Sequence, residues 1–254
     1  MPDDISTRKR RSEMLQIITE QQRAKVAFLK EEFEVSSVTI GKDLAYLESK
    51  GLISRRFGYA EARTTDLFKQ RRDITNFEQK RKIAKCALGY IDDGISVFFY
   101  MSSTILTMVR MLEDKKNLNV VTNSFEIAHD ISINLGARTI ILGGYYSFEF
   151  VATFGEETVT QFNQYNIDKT FFTCNGVSAA GGLTIDEPFE KDLNSAIIMR
   201  SNKKYLLADG QKIGKVGFLK FAPATAIDVL ITDSTANEKE CEKIRALGVE
   251  VIVV

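Results

Sequence analysis

The chain has 254 residues, of which 44% are hydrophobic and 27% are charged, which are ordinary values for a globular protein. No apolar run approaches the roughly 18 residues that a membrane-spanning helix needs. The basic start of the chain is not followed by the apolar stretch of a secretory signal. These features argue against a membrane partner and predict a cytoplasmic protein.

Metal and disulfide chemistry have little support in the sequence. The three cysteines, Cys86, Cys174 and Cys241, are far apart and form no metal-type pair. His129 is the only histidine, and it lies in a helix-like stretch where a packed or surface role is expected. We therefore expect free thiols, no metal site and no cofactor.

The net charge is zero, but the charges are unevenly distributed. Residues 1–85 contain 19 Lys and Arg against 13 Asp and Glu, a net charge of +6, which leaves 15 against 21, a net charge of −6, for residues 86–254. A basic first third joined to an acidic remainder suggests that the first part meets a polyanion such as nucleic acid. A solvated basic surface without a partner is the alternative, and charge counts alone do not exclude it.

The spacing of apolar residues predicts three helices and a hairpin in residues 1–60. The first helix covers residues 11–22, the second covers VAFLKEEF, and the third begins after Ser36, whose hydroxyl is placed to cap it. Gly51 is predicted to end the third helix, and LISRRFGYA then fits a β-hairpin with Gly58 at the turn. The side chains predicted to face inward are those of Met14, Leu15, Ile17, Ile18, Val26, Leu29, Phe33, Val38, Ile40, Leu44 and Leu47.

The third predicted helix fits the requirements of a DNA-reading helix. Such a helix exposes short polar or basic side chains near its N-terminus while its other face stays apolar. The two arginines of the hairpin lie where a wing could touch phosphates. A plain helical hairpin with a charged rim would show the same apolar pattern. The residues predicted to contact DNA are Ser36, Ser37, Thr39, Gly41, Lys42, Arg55 and Arg56.

The rest of the chain predicts a second domain of a different kind. Residues 61–75 are charged and poor in aliphatic residues, which predicts a linker between a winged helix-turn-helix domain at 1–60 and a domain at 76–254. A helix is expected to start near Asn76. From residue 94 onward, about seven β-rich runs alternate with helical stretches, a pattern typical of a mostly parallel sheet with helices on both faces. The predicted fold class is α/β.

Several of the β-rich runs end in glycine or small polar residues. In an open parallel sheet, ligands bind at the carboxyl ends of the strands, where hydroxyls, backbone amides and a lysine suit a phosphate group. Strand-to-helix turns favour these residue types even without a ligand, so the convergence of several clusters on one edge is the stronger indication. The clusters are Ser102-Ser103-Thr104, Thr122-Asn123-Ser124, Gly143-Gly144, Asn175-Gly176, Asp209 with Lys212, and Thr232-Asp233.

The segment from Arg11 to Ala60 resembles the N-terminal DNA-binding domain of the DeoR family of sugar-responsive repressors. That family's signature runs valine-serine-x-x-threonine-isoleucine-arginine-arginine-aspartate-leucine, then leucine-glutamate, a glycine and a basic, glycine-rich wing. This chain departs from it at Gly41 and Lys42, where two arginines are usual, and a lost arginine removes a phosphate or base contact. The matching residues are Val35-Ser36, Thr39-Ile40, Asp43-Leu44, Leu47-Glu48, Gly51 and Arg56, and Gly58-Tyr59 replaces a usual glycine pair.

The resemblance extends to the second domain, whose counterpart in the family is similar to ribose-phosphate isomerases and usually binds phosphorylated sugars. VVTNS, ILGG, DKTFFTCNGVSAAGGLT and LLADGQKIG match recurrent blocks of that domain. Tyr100 replaces the aspartate of an aspartate-x-glycine-threonine-threonine loop, and Asn194-Ser195 replaces a lysine-arginine pair. With the strand-end pattern, the resemblance implies an effector pocket lined by Ser102, Ser103, Thr104, Thr122, Asn123, Gly143, Gly144, Asn175, Gly176, Asp209 and Lys212.

Together these observations predict a DNA-binding regulator, a repressor whose affinity for duplex operator DNA responds to a small phosphorylated sugar, and not an enzyme. Because one helix-turn-helix reads only a few base pairs, a homodimer or homotetramer is expected.

Two alternatives remain. In a sugar-phosphate isomerase-like enzyme with an accessory helical domain, Asp209 and Lys212 would be the acid-base groups. Against this reading, the loop aspartate is replaced at Tyr100. In a repressor with a vestigial pocket no effector binds, and the departures at Tyr100, Asn194 and Ser195 favour that reading.

Overall fold

The computed structural model describes residues 5–21, 23–49, 52–62 and 76–254. The chain divides into two compact units, residues 1–74 and 75–254. The predicted cap at Gly51 and most of the predicted linker, residues 63–75, lie outside the described residues.

The smaller unit consists of helices and a three-stranded antiparallel sheet. Its elements are α1 (Ile5–Glu20), β1 (Arg23–Lys25), α2 (Val26–Glu32), α3 (Ser37–Ser49), β2 (Ile53–Arg56) and β3 (Tyr59–Ala62). The sheet has the order β1-β3-β2. The three helices and the hairpin confirm the prediction, whereas β1 was not predicted, because three residues carry too little periodicity. Strand β3 extends two residues into the predicted linker.

The core of this unit forms where α1, α2 and α3 meet the sheet. Met14, Ile18, Leu29 and Ile40 are fully buried there. The prediction for Val38 is wrong, because its side chain is 67% exposed. Residues two apart lie about 200° apart around a helix, so Val38 and Ile40 cannot both face the core.

The larger unit begins with α4 (Phe77–Leu88) and is built on a seven-stranded sheet. The sheet strands and the helices beside them are β4 (Ser96–Phe99), α5 (Ser103–Arg110), β5 (Asn119–Thr122), α6 (Phe125–Asn134), β6 (Arg138–Ile141), α7 (Glu156–Phe162), β9 (Ile167–Phe172), α8 (Lys191–Arg200), β12 (Ser201–Leu207), β14 (Val229–Thr232), α9 (Glu238–Ala246) and β15 (Glu250–Val253). Every neighbouring pair in this sheet is parallel.

Both faces of the sheet are covered, as predicted for a parallel sheet. Phe98 and Phe99 of β4, and Phe171 and Phe172 of β9, are all fully buried although successive side chains on a strand point to opposite faces. The seven predicted β-rich runs correspond to the seven strands, which confirms the α/β fold class.

Two smaller sheets were not predicted. One is the hairpin of β7 (Tyr145–Ser147) and β8 (Ala152–Phe154), and the other joins β10 (Gly176–Ser178), β11 (Gly182–Ile185) and β13 (Leu219–Ala222). These strands have three or four residues each, too few for an alternating pattern to stand out. Strand β8 packs against the segment that follows β5, which contains predicted effector residues.

Candidate DNA interface and effector site

Helix α3 has a buried face and a clearly separate outward face. Ile40, Asp43, Leu44 and Leu47 are buried. Ser37, Val38, Lys42 and Ala45 are exposed, and Gly41 lies between them. A Cβ atom built at Gly41 would meet no heavy atom within 4 Å, so the outward face is open at that position.

Hydrogen bonds fix the start of α3. The Thr39 backbone N–H donates to Ser36 Oγ over 3.2 Å, which confirms the predicted cap. The Ser36 and Thr39 hydroxyls are 2.9 Å apart. Both hydroxyls therefore already have partners within the chain, while the exposed hydroxyl of Ser37 follows directly on the outward side of the helix start.

A buried carboxylate ties α3 to α1. Asp43 is 1% exposed, and its two carboxylate oxygens accept hydrogen bonds of 2.7 Å from Arg10 Nε and Arg11 Nε. Charge-assisted pairs of this kind fix geometry as well as adding energy. In the sequence, Asp43 stands out only as part of the family motif. Its spacing from Ile40, three residues along a helix, was the available signal for an inward position.

The hairpin β2–β3 forms a short wing. Its two-residue turn, Phe57-Gly58, has φ values of 46° and 78°, the pattern of a type I′ turn. Arg55 Nε donates to Glu48 Oε2 over 2.8 Å, so this arginine is held against α3. Arg56 is exposed, and the Phe57 side chain at the tip is fully exposed.

The seven-stranded sheet reverses its strand order beside β4. The order is β15-β14-β12-β9-β4-β5-β6, so the chain runs outward from β4 to β6 and then returns to the other side of β4. Such a reversal leaves a crevice at the carboxyl ends of the two central strands, where ligands of open α/β sheets bind. The residues that follow β4, β9 and β12 flank this crevice: Met101, Ser102, Thr173, Asn175 and Lys212 are all at least partly exposed.

Two of the predicted effector residues are used inside the fold. Thr122 and Asn123 are 0% exposed. The Thr122 hydroxyl donates to the Phe99 carbonyl over 2.6 Å. The Asn123 amide accepts from the Met101 N–H over 3.0 Å and donates to the Thr153 carbonyl over 3.1 Å. Asn123 therefore joins the loop after β4 to strand β8.

At two of the predicted glycines, a side chain would clash with neighbouring atoms. A Cβ at Gly144, which has a φ of 138°, would lie 2.2 Å from Thr158 Oγ1, and a Cβ at Gly176 would lie 2.4 Å from the Lys215 carbonyl oxygen. Gly143 and Gly144 follow β6, which is four strands from β12. At about 4.8 Å per strand that separation is about 19 Å. One sugar phosphate therefore cannot contact both the glycines after β6 and the predicted effector residues after β12.

A buried polar cluster lies beneath the crevice. The fully buried Tyr100 hydroxyl donates to Glu190 Oε2 over 2.6 Å, and Asn194 Nδ2 donates to the Tyr100 hydroxyl over 3.2 Å. Burial raises the pKa of Glu190, and burial together with the Glu190 charge raises the pKa of Tyr100 well above its usual value. Within the described residues, Asn194 Oδ1 is buried and accepts no hydrogen bond.

Asp209 and Lys212 follow β12 at the same edge. Lys212 Nζ donates to Thr173 Oγ1 over 3.1 Å. Asp209 is 6% exposed, forms no side-chain hydrogen bond within the described residues, and its carboxylate oxygens reach solvent. Cys174, the residue after Thr173, is buried, and burial raises the pKa of its thiol to about 12. The thiol therefore stays protonated, and the site combines one cation with acceptors that lack donors.

Two surface cavities of about 230 and 560 Å³ lie at the opposite, amino-terminal edge of the sheet. Residues 115–119 and 135–138 line the larger one. In a parallel α/β sheet the helices present their C-termini at this edge, and those ends disfavour anions. The carboxyl edge, which combines the strand-order reversal with the N-terminus of α5, is the better candidate for an anionic effector.

Comparisons with known proteins cover both units. The DeoR-like helix-turn-helix domain matches residues 10–66, and the DeoR C-terminal sensor domain matches residues 75–234. The lactose phosphotransferase system repressor of Staphylococcus epidermidis is 30% identical over 250 residues, which are 96% of this chain and 98% of that protein. The repressor GlcR of Bacillus subtilis is 30% identical over 223 residues, which are 87% of this chain and 86% of that protein.

Matches among solved structures have low sequence identity and low TM-scores. The full-length sorbitol operon regulator SorC from Klebsiella pneumoniae covers 95% of this chain and 100% of its own, with 10% identity and a TM-score of 0.41. Ribose 5-phosphate isomerase A from Methanocaldococcus jannaschii covers 54% of this chain and 55% of its own, with 18% identity and a TM-score of 0.39.

The winged helix-turn-helix and the separate α/β unit define a DNA-binding transcriptional regulator of the helix-turn-helix type, which is not an enzyme. The isomerase alternative is therefore wrong. The chain belongs to the DeoR family, since the sensor-domain model alone matches more than half of it. Among the described residues, none of the helices has the length and apolar character that crossing a bilayer requires.

Proposed function

We propose that α3 enters the major groove of duplex DNA and that the β2–β3 wing contacts the phosphate backbone. The observation that carries this proposal is the outward face of α3, which presents Ser37, Gly41 and Lys42 opposite a fully packed core face. Ser37, Lys42 and Arg56 are exposed and free to make direct contacts. Ser36 and Thr39 stabilise the helix start, and Arg55 is braced by Glu48, so these three contribute through the placement of α3 and the wing.

The test is the salt dependence of binding to a duplex selected from a random pool by the full-length protein. Each phosphate contact that a cation makes adds close to one unit to the slope of log affinity against log salt. Lys42→Ala and Arg56→Ala should each lower the slope by about one. Lys239→Ala changes an exposed lysine of α9 and serves as the matched control. Unchanged slopes in both variants would contradict the assignment.

We propose that the effector is a phosphorylated sugar bound at the crevice between β4 and β9. Lys212 is the cation for the phosphate, because an ammonium–phosphate contact with little solvent is short and strong. The Asp209 carboxylate and the Asn175 side chain are placed to accept from sugar hydroxyls. Ser102, Ser103 and Thr104 start α5, whose N-terminal backbone amides favour an anion. Thr122, Asn123, Gly143, Gly144 and Gly176 shape the surrounding loops.

The sugar class draws support from the relatives, which include a lactose phosphotransferase system repressor and a putative aga operon repressor. The ligand must prefer the arrangement that binds DNA weakly, and the shift in DNA affinity cannot exceed that preference. We propose that the effector releases the repressor from DNA.

The effector test uses a panel of sugar phosphates in a thermal-shift measurement, followed by DNA titrations with any sugar phosphate that raises the melting temperature. Lys212→Ala should keep DNA binding and lose the response, whereas Lys215→Ala, an exposed lysine three residues away, should respond as the parent does. Release of DNA from Lys212→Ala at the parent's ligand concentration would rule out Lys212 as the phosphate partner. A parent protein that responds to no member of the panel would favour the vestigial pocket.

We also propose a homodimer or homotetramer, with residues 1–60 as the DNA-binding domain, 61–75 as the linker and 76–254 as the sensor. Two copies are needed because a single helix-turn-helix covers too few base pairs for selectivity over a genome. Light scattering with and without duplex DNA tests this assembly, and a monomer under both conditions would contradict it.

A further inference from the structure

Val38 is the second residue of α3, and its exposure has no explanation within the chain. Its side chain is 67% exposed, whereas Ile40, Leu44 and Leu47 of the same helix are at most 3% exposed. A β-branched residue is also a weaker helix former than alanine. Since isolated exposed apolar residues are common, exposure alone assigns no role to Val38.

The position of Val38 supplies the second observation. Gly41 and Lys42 follow it by three and four residues, so the three share the outward face of α3. Gly41 has no side chain, and the space beside it is open, so the methyl groups of Val38 are not covered by the next turn. An uncovered branched apolar side chain therefore stands near the N-terminus of the helix, where recognition helices contact base edges.

We infer that Val38 reads a thymine in the DNA site through the C5-methyl group of the base. Among the four bases, only thymine presents a methyl group in the major groove, and an apolar side chain is its complement. Val38 has two γ-methyl groups and no polar atom that would require a hydrogen-bond partner. This inference rests on the proposed entry of α3 into the major groove, and it adds a sequence preference to that contact.

The test compares thymine with deoxyuridine, which differs only by the absence of that methyl group. The full-length protein first selects a duplex from a random pool, and each thymine of the selected site is then replaced in turn. The parent should lose about fourfold in affinity at one position of each half-site, the factor expected for burying one methyl-sized group. Val38→Ala should bind the thymine duplex several-fold more weakly and be indifferent to deoxyuridine at that position.

Two further variants distinguish a specific contact with thymine from a general loss of DNA affinity. Val38→Thr keeps one methyl group and should retain part of the sensitivity to deoxyuridine. Ile133 of α6 is 68% exposed, so Ile133→Ala removes a similarly exposed branched side chain from the other unit and should behave as the parent. Because Val38 packs against little and alanine is the better helix former, Val38→Ala should not lower the melting temperature.

Three results would overturn the inference. The parent tolerates deoxyuridine at every position, or Val38→Ala keeps the parent's full sensitivity, or the selected site contains no thymine. In these cases the protein still binds DNA, so the proposed function stands. If the parent selects no duplex at all, the proposed function fails and the thymine contact fails with it.

Discussion

Replacing Tyr100 by phenylalanine removes one oxygen atom from the buried cluster beneath the crevice. The hydroxyl donates to Glu190 over 2.6 Å and accepts from Asn194 over 3.2 Å. Its loss leaves a buried carboxylate without this donor. Hydrogen bonds to charged groups contribute about 1.5–3 kcal/mol and those between neutral groups about 1 kcal/mol. We expect Tyr100→Phe to lower the free energy of unfolding by about 2–3 kcal/mol while Glu190 is ionised.

The loss should depend on pH, and the direction follows from the pKa of Glu190. Burial raises this pKa above its ordinary value of 4.5, while the Tyr100 hydroxyl acts to lower it. Removing the hydroxyl therefore raises the folded-state pKa further. Below the unfolded-state pKa the carboxyl is protonated in both states, and the deficit shrinks to that of a neutral hydrogen bond. As pH rises through the folded-state pKa, the deficit grows to its full size.

Calorimetry or far-ultraviolet circular dichroism is the suitable assay, because the chain contains no tryptophan. For a unit of this size, 1 kcal/mol corresponds to a shift in melting temperature of about 2–4 °C, so a decrease of about 4–12 °C is expected at about pH 8 and a smaller one at about pH 5. Tyr205→Phe, which removes the hydroxyl of another buried tyrosine that forms no side-chain hydrogen bond within the described residues, should be nearly neutral. Equal losses at both pH values would refute the reasoning.

Three further substitutions test the packing. Gly41→Ala should stabilise α3 by about 0.5–1 kcal/mol in thermal denaturation, since the added Cβ meets nothing within 4 Å, and a decrease would contradict this. Asp43→Asn should cost about 3 kcal/mol by breaking a buried double ion pair, and a loss under 1 kcal/mol would contradict that role. Gly144→Ala should cost about 3 kcal/mol or more, since its Cβ would lie 2.2 Å from Thr158 Oγ1, and an unchanged melting temperature would be inconsistent with that contact.

The fold could be predicted from the sequence because its main signals are local. Inner sheet strands such as β4 and β14 are short buried runs followed by turn residues, and the hydroxyl of Ser36 caps the helix that follows it. The position of Val38 was also within reach of the sequence. Ile40 and Leu44 are four residues apart and share a face, and that spacing already places Val38 on the other side of the helix.

The effector site was less predictable because its residues meet across long stretches of chain. A small polar residue after a strand has the same appearance whether it binds a ligand or fixes a loop. Asn123 fixes a loop, and its partner Thr153 is 30 residues away in a hairpin too short to leave a pattern. Asp209, by contrast, is largely buried and forms no side-chain hydrogen bond within the described residues, a property that only the three-dimensional arrangement shows.

Tyr100 and Asn194 depart from the family pattern at positions 94 residues apart, and a hydrogen bond joins their side chains. Where the family often carries an aspartate and a lysine, a phenol and an amide form a hydrogen bond to each other beside Glu190. At these two positions an acid and a base are lost together, and Ser195 replaces a second cation, so the family pattern loses one carboxylate and two cations. A buried carboxylate without any partner would cost several kcal/mol, and Glu190 keeps the Tyr100 hydroxyl as its donor. We therefore expect a pocket floor with fewer cations than the family pattern, in which Lys212 is the cation placed to meet an anionic group.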